Sequence, residues 1–195
     1  AVHLTAHASK SQQIPSWEWN LLAQLLQSPQ VKQQGHSDAF QKQISALSQR
    51  ARELVSDVDQ SPEERVTSLE FVLSLKQNQQ DLDFVADLLS PQTPLKLQIA
   101  ALRNLIATQN PEALELVFEN WKQFTPSIQA EVLNQLLLRE STTQALLKQV
   151  EQKQVQPAQI DLTNQQRLLE HKNSKIKEHA QKLFSAASSA SREQV

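Results

Sequence analysis

One pattern of apolar residues occurs three times in this chain, in VTSLEFVL (66–73), IAALRNLI (99–106) and AEVLNQLL (130–137). In each tract the apolar side chains fall at positions i, i+3, i+6 and i+7, which places them on one face of an α-helix. Successive tracts begin 33 and 31 residues apart. A helical pattern that recurs at such a period is typical of an α-solenoid, in which each repeat packs against its neighbours.

Each tract is preceded by a proline: Pro62, Pro94 and Pro126. Proline suits the first position of a helix, because its missing N–H has no partner there and its φ is already helical. Further Ser-Pro and Asn-Pro breaks between the apolar segments leave room only for tight turns, so neighbouring helices should run antiparallel. The sequence therefore predicts an all-α fold, built as an α-solenoid of antiparallel helical pairs of the HEAT or armadillo kind.

The composition narrows the possible functions. The 195 residues include a single glycine, which argues against a β-sandwich, and no cysteine, which excludes disulfides, thiolate metal sites and c-type haem attachment. The net charge is −2. That charge offers no positive field for nucleic acid, and the absence of a long apolar run predicts no direct membrane insertion. A start at Ala1 without methionine indicates an excised or processed segment.

The predicted organisation is an irregular lead-in over 1–15, one helical-repeat domain over 16–185 and a polar linker tail over 186–195. The first helix should begin after Pro15 with Ser16 as its N-cap, and bury the stripe Trp17, Leu21 and Leu25. Ser37 or Asp38 should cap the next helix. Further helices are predicted over 82–89, 111–124 and 142–152, each with one apolar side.

The C-terminal part carries a more specific pattern, QPAQIDL (156–162) followed by QQRLLEHKNSKIKEHAQKLF (165–184). With the preceding tract 94–139, it resembles the HEAT-like repeat region of planctomycete-type proteins called membrane-bound dehydrogenases or haem-binding CxxCH proteins. The resemblance covers residues 16–195. In that family a β-propeller precedes the repeats and a cytochrome c domain follows them.

The resemblance implies that the chain is a spacer within a larger extracytoplasmic or periplasmic redox protein, a dehydrogenase fused to a cytochrome c domain. Neither the propeller nor the CxxCH motif is present in these residues. The catalytic and haem-binding residues of the family therefore have no positions here onto which they could be carried, and only a spacer or docking role transfers.

The residues themselves suggest no metal or catalytic site. His3 and His7 have a spacing that could bind a metal on a helix, but the segment is a poor helix and lacks the HExxH glutamate. His171 lies where a helix should end, where an imidazolium would meet the negative end of the helix dipole. We therefore predict no catalytic, cofactor-binding or metal-binding residue and no cofactor. The lysines of the last helix are interrupted by glutamates, which argues against nucleic-acid binding.

Acidic residues recur in two predicted helices, as Asp81, Asp83 and Asp87 and as Glu112, Glu115 and Glu119. A calcium-binding loop would need a glycine, which neither helix has. Two interpretations of the acidic clusters remain: a solvated helix face, or an acidic strip to which a partner docks. In stacked helical pairs the second helices line the concave side. A docking strip there would use residues on those helices: Asp83, Asp87, Glu115, Glu119 and Lys122.

Trp17 and Trp19 are two residues apart, so they diverge on a helix and one ring points away from the core. Trp17 belongs to the predicted core stripe, which makes Trp19 the candidate for a contact with a neighbouring domain. The sequence thus favours a non-catalytic scaffold or spacer that contacts another protein or neighbouring domains of the same polypeptide. The alternative is a self-contained enzyme or metal-binding domain whose site is not visible in the sequence.

Overall fold

The computed structural model describes residues 14–28, 37–75 and 79–192, and these form an all-helical fold with no strand among them. The ten α-helices of this part of the chain are α1 (Ser16–Gln27), α2 (Asp38–Ser56), α3 (Pro62–Ser74), α4 (Gln79–Asp87), α5 (Leu95–Thr108), α6 (Pro111–Glu119), α7 (Pro126–Leu136), α8 (Glu140–Glu151), α9 (Leu162–Leu169) and α10 (Ser174–Arg192). Two 3₁₀ helices, Trp121–Gln123 and Pro157–Gln159, lie between them. The prediction of an all-α protein is confirmed for these residues.

The described residues cluster into two compact units. The first contains those up to Leu88 together with Gln92–Ala101, and the second contains Leu89–Pro91 together with those from Leu102 onward. The predicted lead-in over 1–15 falls almost entirely outside the described residues. The single domain predicted over 16–185 stays a prediction, as does the solenoid arrangement.

Helix α3 is the centre of the first unit, because both α1 and α2 pack on it. The core joins Trp19 and Leu22 of α1, Leu47 and Ala51 of α2, and Phe71 and Val72 of α3. The rings of Trp19 and Phe71 meet at a centroid distance of 4.8 Å with tilted planes. Tilted aromatic contacts of this kind add stabilisation beyond the apolar area that they bury.

In the second unit α10 packs against α8 and α9 and also meets the second 3₁₀ helix. The indole of Trp121 is fully buried, and its Nε1–H donates to Gln159 Oε1 at 3.1 Å. Gln129 Nε2 in turn donates to the carbonyl oxygen of Trp121 at 3.0 Å. These bonds fix the segment that follows α6 against both α7 and the second 3₁₀ helix.

Local side-chain chemistry sets most helix starts where the sequence predicts them. The hydroxyl of Ser37 accepts a hydrogen bond from the Phe40 amide, and Ser61 and Glu64 form a reciprocal capping box around Pro62. Pro126 likewise opens α7, with Thr125 as its N-cap. At α1 and α5 the prediction is one residue off: Pro15, rather than Ser16, is the N-cap, and α5 begins at Leu95, after Pro94.

Two predicted segments are wrong in their extent. The helix predicted over 111–124 ends at Glu119, where Asn120 Nδ2 donates to the Leu116 carbonyl and the chain tightens into the first 3₁₀ helix. The predicted linker tail is instead helical as far as Arg192, because α10 continues through its alanines and serines. Alanine has the highest helix propensity of all residues, so it favours this extension of the helix.

The three repeated tracts bury the same two positions. The second and third apolar residues of each are buried: Leu69 and Val72, Leu102 and Leu105, and Leu133 and Leu136. The first position is less covered, since Val66 and Ile99 are half-buried and Ala130 is exposed. The sequence pattern therefore predicts burial correctly at the centre of each tract and less well at its first position.

Leu102 and Leu133 are each 1% exposed, as their central position predicts. We expect Leu→Ala at either site to lower the free energy of unfolding by about 2–5 kcal/mol, through lost burial and the cavity left behind. Urea denaturation followed by circular dichroism measures this. Ala130→Ser is the matched control and should stay within about 0.5 kcal/mol of the parent chain. A loss below about 1 kcal/mol for both leucine variants would contradict the register.

The N-cap of α9 provides a pH-dependent test. Asp161 accepts hydrogen bonds from the backbone N–H of Asn164 and from its Nδ2, at 3.0 and 2.6 Å. The bond from that backbone N–H is the largest cause that holds the pKa of Asp161 below its ordinary value of 3.8. The ionised carboxylate therefore stabilises the fold above that value, and the effect is lost as the pH falls through the lowered pKa.

At neutral pH Asp161→Ala should cost about 0.5–2 kcal/mol of unfolding free energy. The gap between this variant and the parent chain should narrow as the pH falls below 3.8. Asp161→Asn is the control, because asparagine keeps the acceptor without ionising, so its advantage over alanine should not change with pH. A parent-to-alanine gap that is constant from neutral to acidic pH would contradict the assignment.

Candidate protein-interaction surfaces

The first candidate surface is the acidic side of α4. Asp83 and Asp87 lie one turn apart on this helix and are exposed, while Leu82 and Val85 on its other side are buried. Asp81, which the sequence groups with them, is buried and forms an ion pair with Arg52 of α2. Only two of the three aspartates, Asp83 and Asp87, are therefore exposed on this helix.

Arg52 fixes α4 in the first unit through two contacts. Its guanidinium pairs with Asp81 and lies over the ring of Phe84, at 4.9 Å from the ring centroid. Partial burial lowers the pKa of Arg52 from its ordinary value. An arginine can still remain charged in this setting, since its ordinary pKa lies far above neutral pH. The pair determines which side of α4 faces α2, and so leaves Asp83 and Asp87 outward.

The second candidate surface lies on α6 and the turn that follows it. Glu115 and Glu119 are exposed and one turn apart, while Ala113, Leu114, Val117 and Phe118 of the same helix are buried. Lys122 is exposed in the 3₁₀ helix that buried Trp121 anchors. All five charged residues predicted for docking are thus exposed, in one group on each unit. Their union into a single concave strip stays a prediction.

The tryptophan assignment is wrong and has to be reversed. Trp19 is 2% exposed and packs in the core, whereas Trp17 is 64% exposed and Leu21, one turn later, is 37% exposed. Helix α1 has two apolar stripes of similar composition, and the contact of Trp19 with Phe71 selects which of them is buried. The outward ring, and the candidate for a contact with another domain, is Trp17.

The outer surface of α1 is unusual in its lack of charge. The only charged residue of this helix is Glu18, and it is buried. Trp17 and Leu21 are therefore bordered on their own helix by neutral polar residues such as Asn20 and Gln24. Tryptophan is enriched among residues that dominate the energy of protein interfaces, which makes this surface a stronger candidate than an isolated exposed leucine.

A cleft of about 500 Å³ lies at the start of α1 in the first unit. Residues of four segments line it: Ile14, Pro15, Ser16, Trp19, Arg50, Leu54, Gln60, Glu64 and Ser68. The carboxylate of Glu64 is engaged in the capping box with Ser61. Sequence reasoning missed this cleft, because no motif links the start of α1 with the facing turns of α2 and α3.

The described histidines have structural partners. His171 Nδ1 accepts a hydrogen bond from the Asn173 amide at 3.1 Å, and His179 Nε2 lies 3.5 Å from Glu151 Oε2. Within residues 14–28, 37–75 and 79–192, no three His, Cys, Asp or Glu side chains are grouped so that they could hold a metal ion. His3, His7 and His36 lie outside the described residues.

No described helix combines the length and the apolar character that crossing a membrane requires.

Comparison of the chain with protein-family models, with curated proteins and with solved structures finds no match. The resemblance to the repeat region of the dehydrogenase and cytochrome c proteins therefore stays a prediction.

The reversed tryptophan assignment makes a sharp prediction about stability. Trp19→Ala should lower the free energy of unfolding by about 3–5 kcal/mol, since it removes a core ring and its contact with Phe71. Trp17→Ala, the matched control on the same helix, should stay within about 0.5 kcal/mol of the parent chain. Urea denaturation of both variants measures the difference. Equal losses would mean that Trp17 is also a core residue.

Proposed function

We propose that this chain is a non-catalytic helical-repeat scaffold or spacer, an α-solenoid that mediates contacts with another protein or with neighbouring domains of one polypeptide. The observation that carries the proposal is a set of polar contacts whose partners are one repeat length apart in the sequence. Lys96 of α5 pairs with Glu63 of α3, 33 residues earlier. In the second unit Asn173 Nδ2 donates to Glu140 Oε2 at 2.8 Å, again across 33 residues.

Two further contacts in the second unit have similar separations. Ser141 Oγ donates to Gln109 Oε1 at 2.5 Å across 32 residues, and Arg103 Nε donates to Glu131 Oε1 at 2.8 Å across 28 residues. Glu63 and Lys96 each lie three residues before the first apolar position of their tract, so this pair joins corresponding positions of successive repeats, as a solenoid requires. These four side-chain contacts therefore support the repeat period that the sequence indicates.

The exposed charges favour a partner of opposite sign. Asp83 with Asp87 and Glu115 with Glu119 form acidic pairs on the second helices of two repeats, where a solenoid would turn them to its concave side. Such charges speed encounter with a basic partner more than they deepen affinity. We propose a salt-sensitive contact with a basic protein surface. The family resemblance supports an interdomain version of this contact, within an extracytoplasmic redox protein.

The first step of the test identifies the partner. A carbodiimide joins a carboxylate to a lysine that it touches, so cross-linking in cells that make the chain, followed by mass spectrometry, reports the lysine-bearing surface. The proposal expects cross-links from the four acidic residues of the two pairs. The association rate of the chain with that partner is then measured by surface plasmon resonance at low and at high salt.

Asp87→Lys combined with Glu119→Lys should slow association several-fold at low salt and leave the free energy of unfolding nearly unchanged, since exposed helix charges contribute only a few tenths of a kcal/mol each. Asp59→Lys combined with Glu178→Lys is the matched control, because both residues are exposed and the net charge changes equally. Association that responds neither to the first pair nor to salt would contradict the acidic contact and redirect attention to Trp17.

A further inference from the structure

An apolar stripe runs along the outer side of α1 and consists of Trp17, Leu21 and Leu25. These residues are four positions apart, so their side chains lie one turn apart on the same face of the helix. Trp17 and Leu21 are exposed and Leu25 is half-buried. The other side of α1 already contributes Trp19 and Leu22 to the core of the first unit. Packing within the described unit therefore leaves this outer stripe largely uncovered.

The surroundings of the outer stripe carry no charge. Glu18 is the one charged residue of α1 and is buried, and the exposed residues beside the stripe, Asn20 and Gln24, are neutral amides. Each of the other nine described helices has a charged side chain that is exposed or half-buried. Among the described helices, α1 is therefore the one that could meet an identical helix without bringing like charges together.

We propose that the outer stripe is the contact surface of a symmetric dimer, in which α1 of a second copy of this chain packs antiparallel against it. In a twofold dimer the same patch faces itself, so a charge near the axis is repelled by its own copy. An amide both donates and accepts hydrogen bonds, so Asn20 and Gln24 can bond with the same residues of the partner. A strongly charged partner finds no opposite charge here, whereas an identical surface is suitable in both respects.

The order of the side chains favours the antiparallel arrangement. Leu21 is the central residue of the outer stripe, so a twofold axis at this point places each Trp17 against Leu25 of the partner subunit. A parallel pair would instead bring the two bulky indoles together at one end and the two smaller leucines together at the other. Asn20 and Gln24 lie on one side of the stripe, and the antiparallel axis brings the amides of both copies to that same side.

The length of α1 limits the strength of this contact. The helix has 12 residues and is about 18 Å long. Two helices of this length bury less than the roughly 800 Å² per partner that is typical of stable complexes. We therefore expect a weak dimer whose population rises with protein concentration. The inference goes beyond the proposed contact with a basic partner, because it uses α1 and none of the acidic residues.

Sedimentation of the full chain alone, over a range of concentrations, tests the proposal. Trp17→Ala should raise the dissociation constant of the dimer at least about tenfold, because a large interface ring is lost from both copies. Val58→Ala is the matched control, since Val58 is an exposed apolar residue of the same unit outside α1, and its effect should stay within about twofold. A chain that stays monomeric at every concentration would overturn the proposal. Equal effects of the two variants would do the same.

A second pair of variants tests whether the surface meets its own copy and keeps the test decisive if Trp17→Ala alters folding. Asn20→Lys and Asn20→Glu should each weaken the dimer several-fold at low salt, because like charges then meet near the axis, and high salt should reduce the loss. An equimolar mixture of the two should associate more tightly than either variant alone. A mixture no tighter than its components would contradict contact between identical surfaces.

Discussion

Burial of two apolar positions in each repeated tract is the constraint on which the structure depends. Helices of this length are marginal on their own in water, because nucleating a helix is costly and each residue adds little. The longest described helices have 19 residues and the shortest has 8. Burial of Leu102 and Leu133 therefore stabilises helices that would be unstable in isolation. The helix caps and ion pairs add smaller contributions to the stability of the fold.

The sequence predicted features that depend on local chemistry. The capping hydrogen bonds of α2 and α3 join residues within a few positions of each other, so the sequence indicates where both helices begin, although it left Ser37 and Asp38 as alternatives for the cap of α2. Burial at the centre of each repeated tract could also be predicted from the sequence. The helical period places Leu102 in the middle of the apolar face, so it is buried regardless of which residues pack against that face. Burial at the start of each tract could not be predicted in this way. The exposure of Ala130 depends on neighbouring residues that the apolar pattern does not specify.

The candidate site was harder to predict, for a related reason. Both stripes of α1 contain a tryptophan and leucines, and contacts with α2 and α3, among them the ring of Phe71, decide that Trp19 faces inward. Asp81 and Asp83 look equivalent in sequence, but Arg52 selects the first for burial. Long-range partners thus determined which residues of a correctly predicted helix remained at the surface, and no periodicity in one helix contains that information.

The contacts that join residues about one repeat apart also bear on how the chain folds. Glu63 meets Lys96, and Glu140 meets Asn173, across 33 residues in each case. No such pair has to wait for a distant end of the polypeptide, so loop closure is cheap and the mean sequence separation of contacts stays low. During synthesis these contacts can form soon after both partners have left the ribosome, which shortens the time for which the nearby leucines are exposed to aggregation.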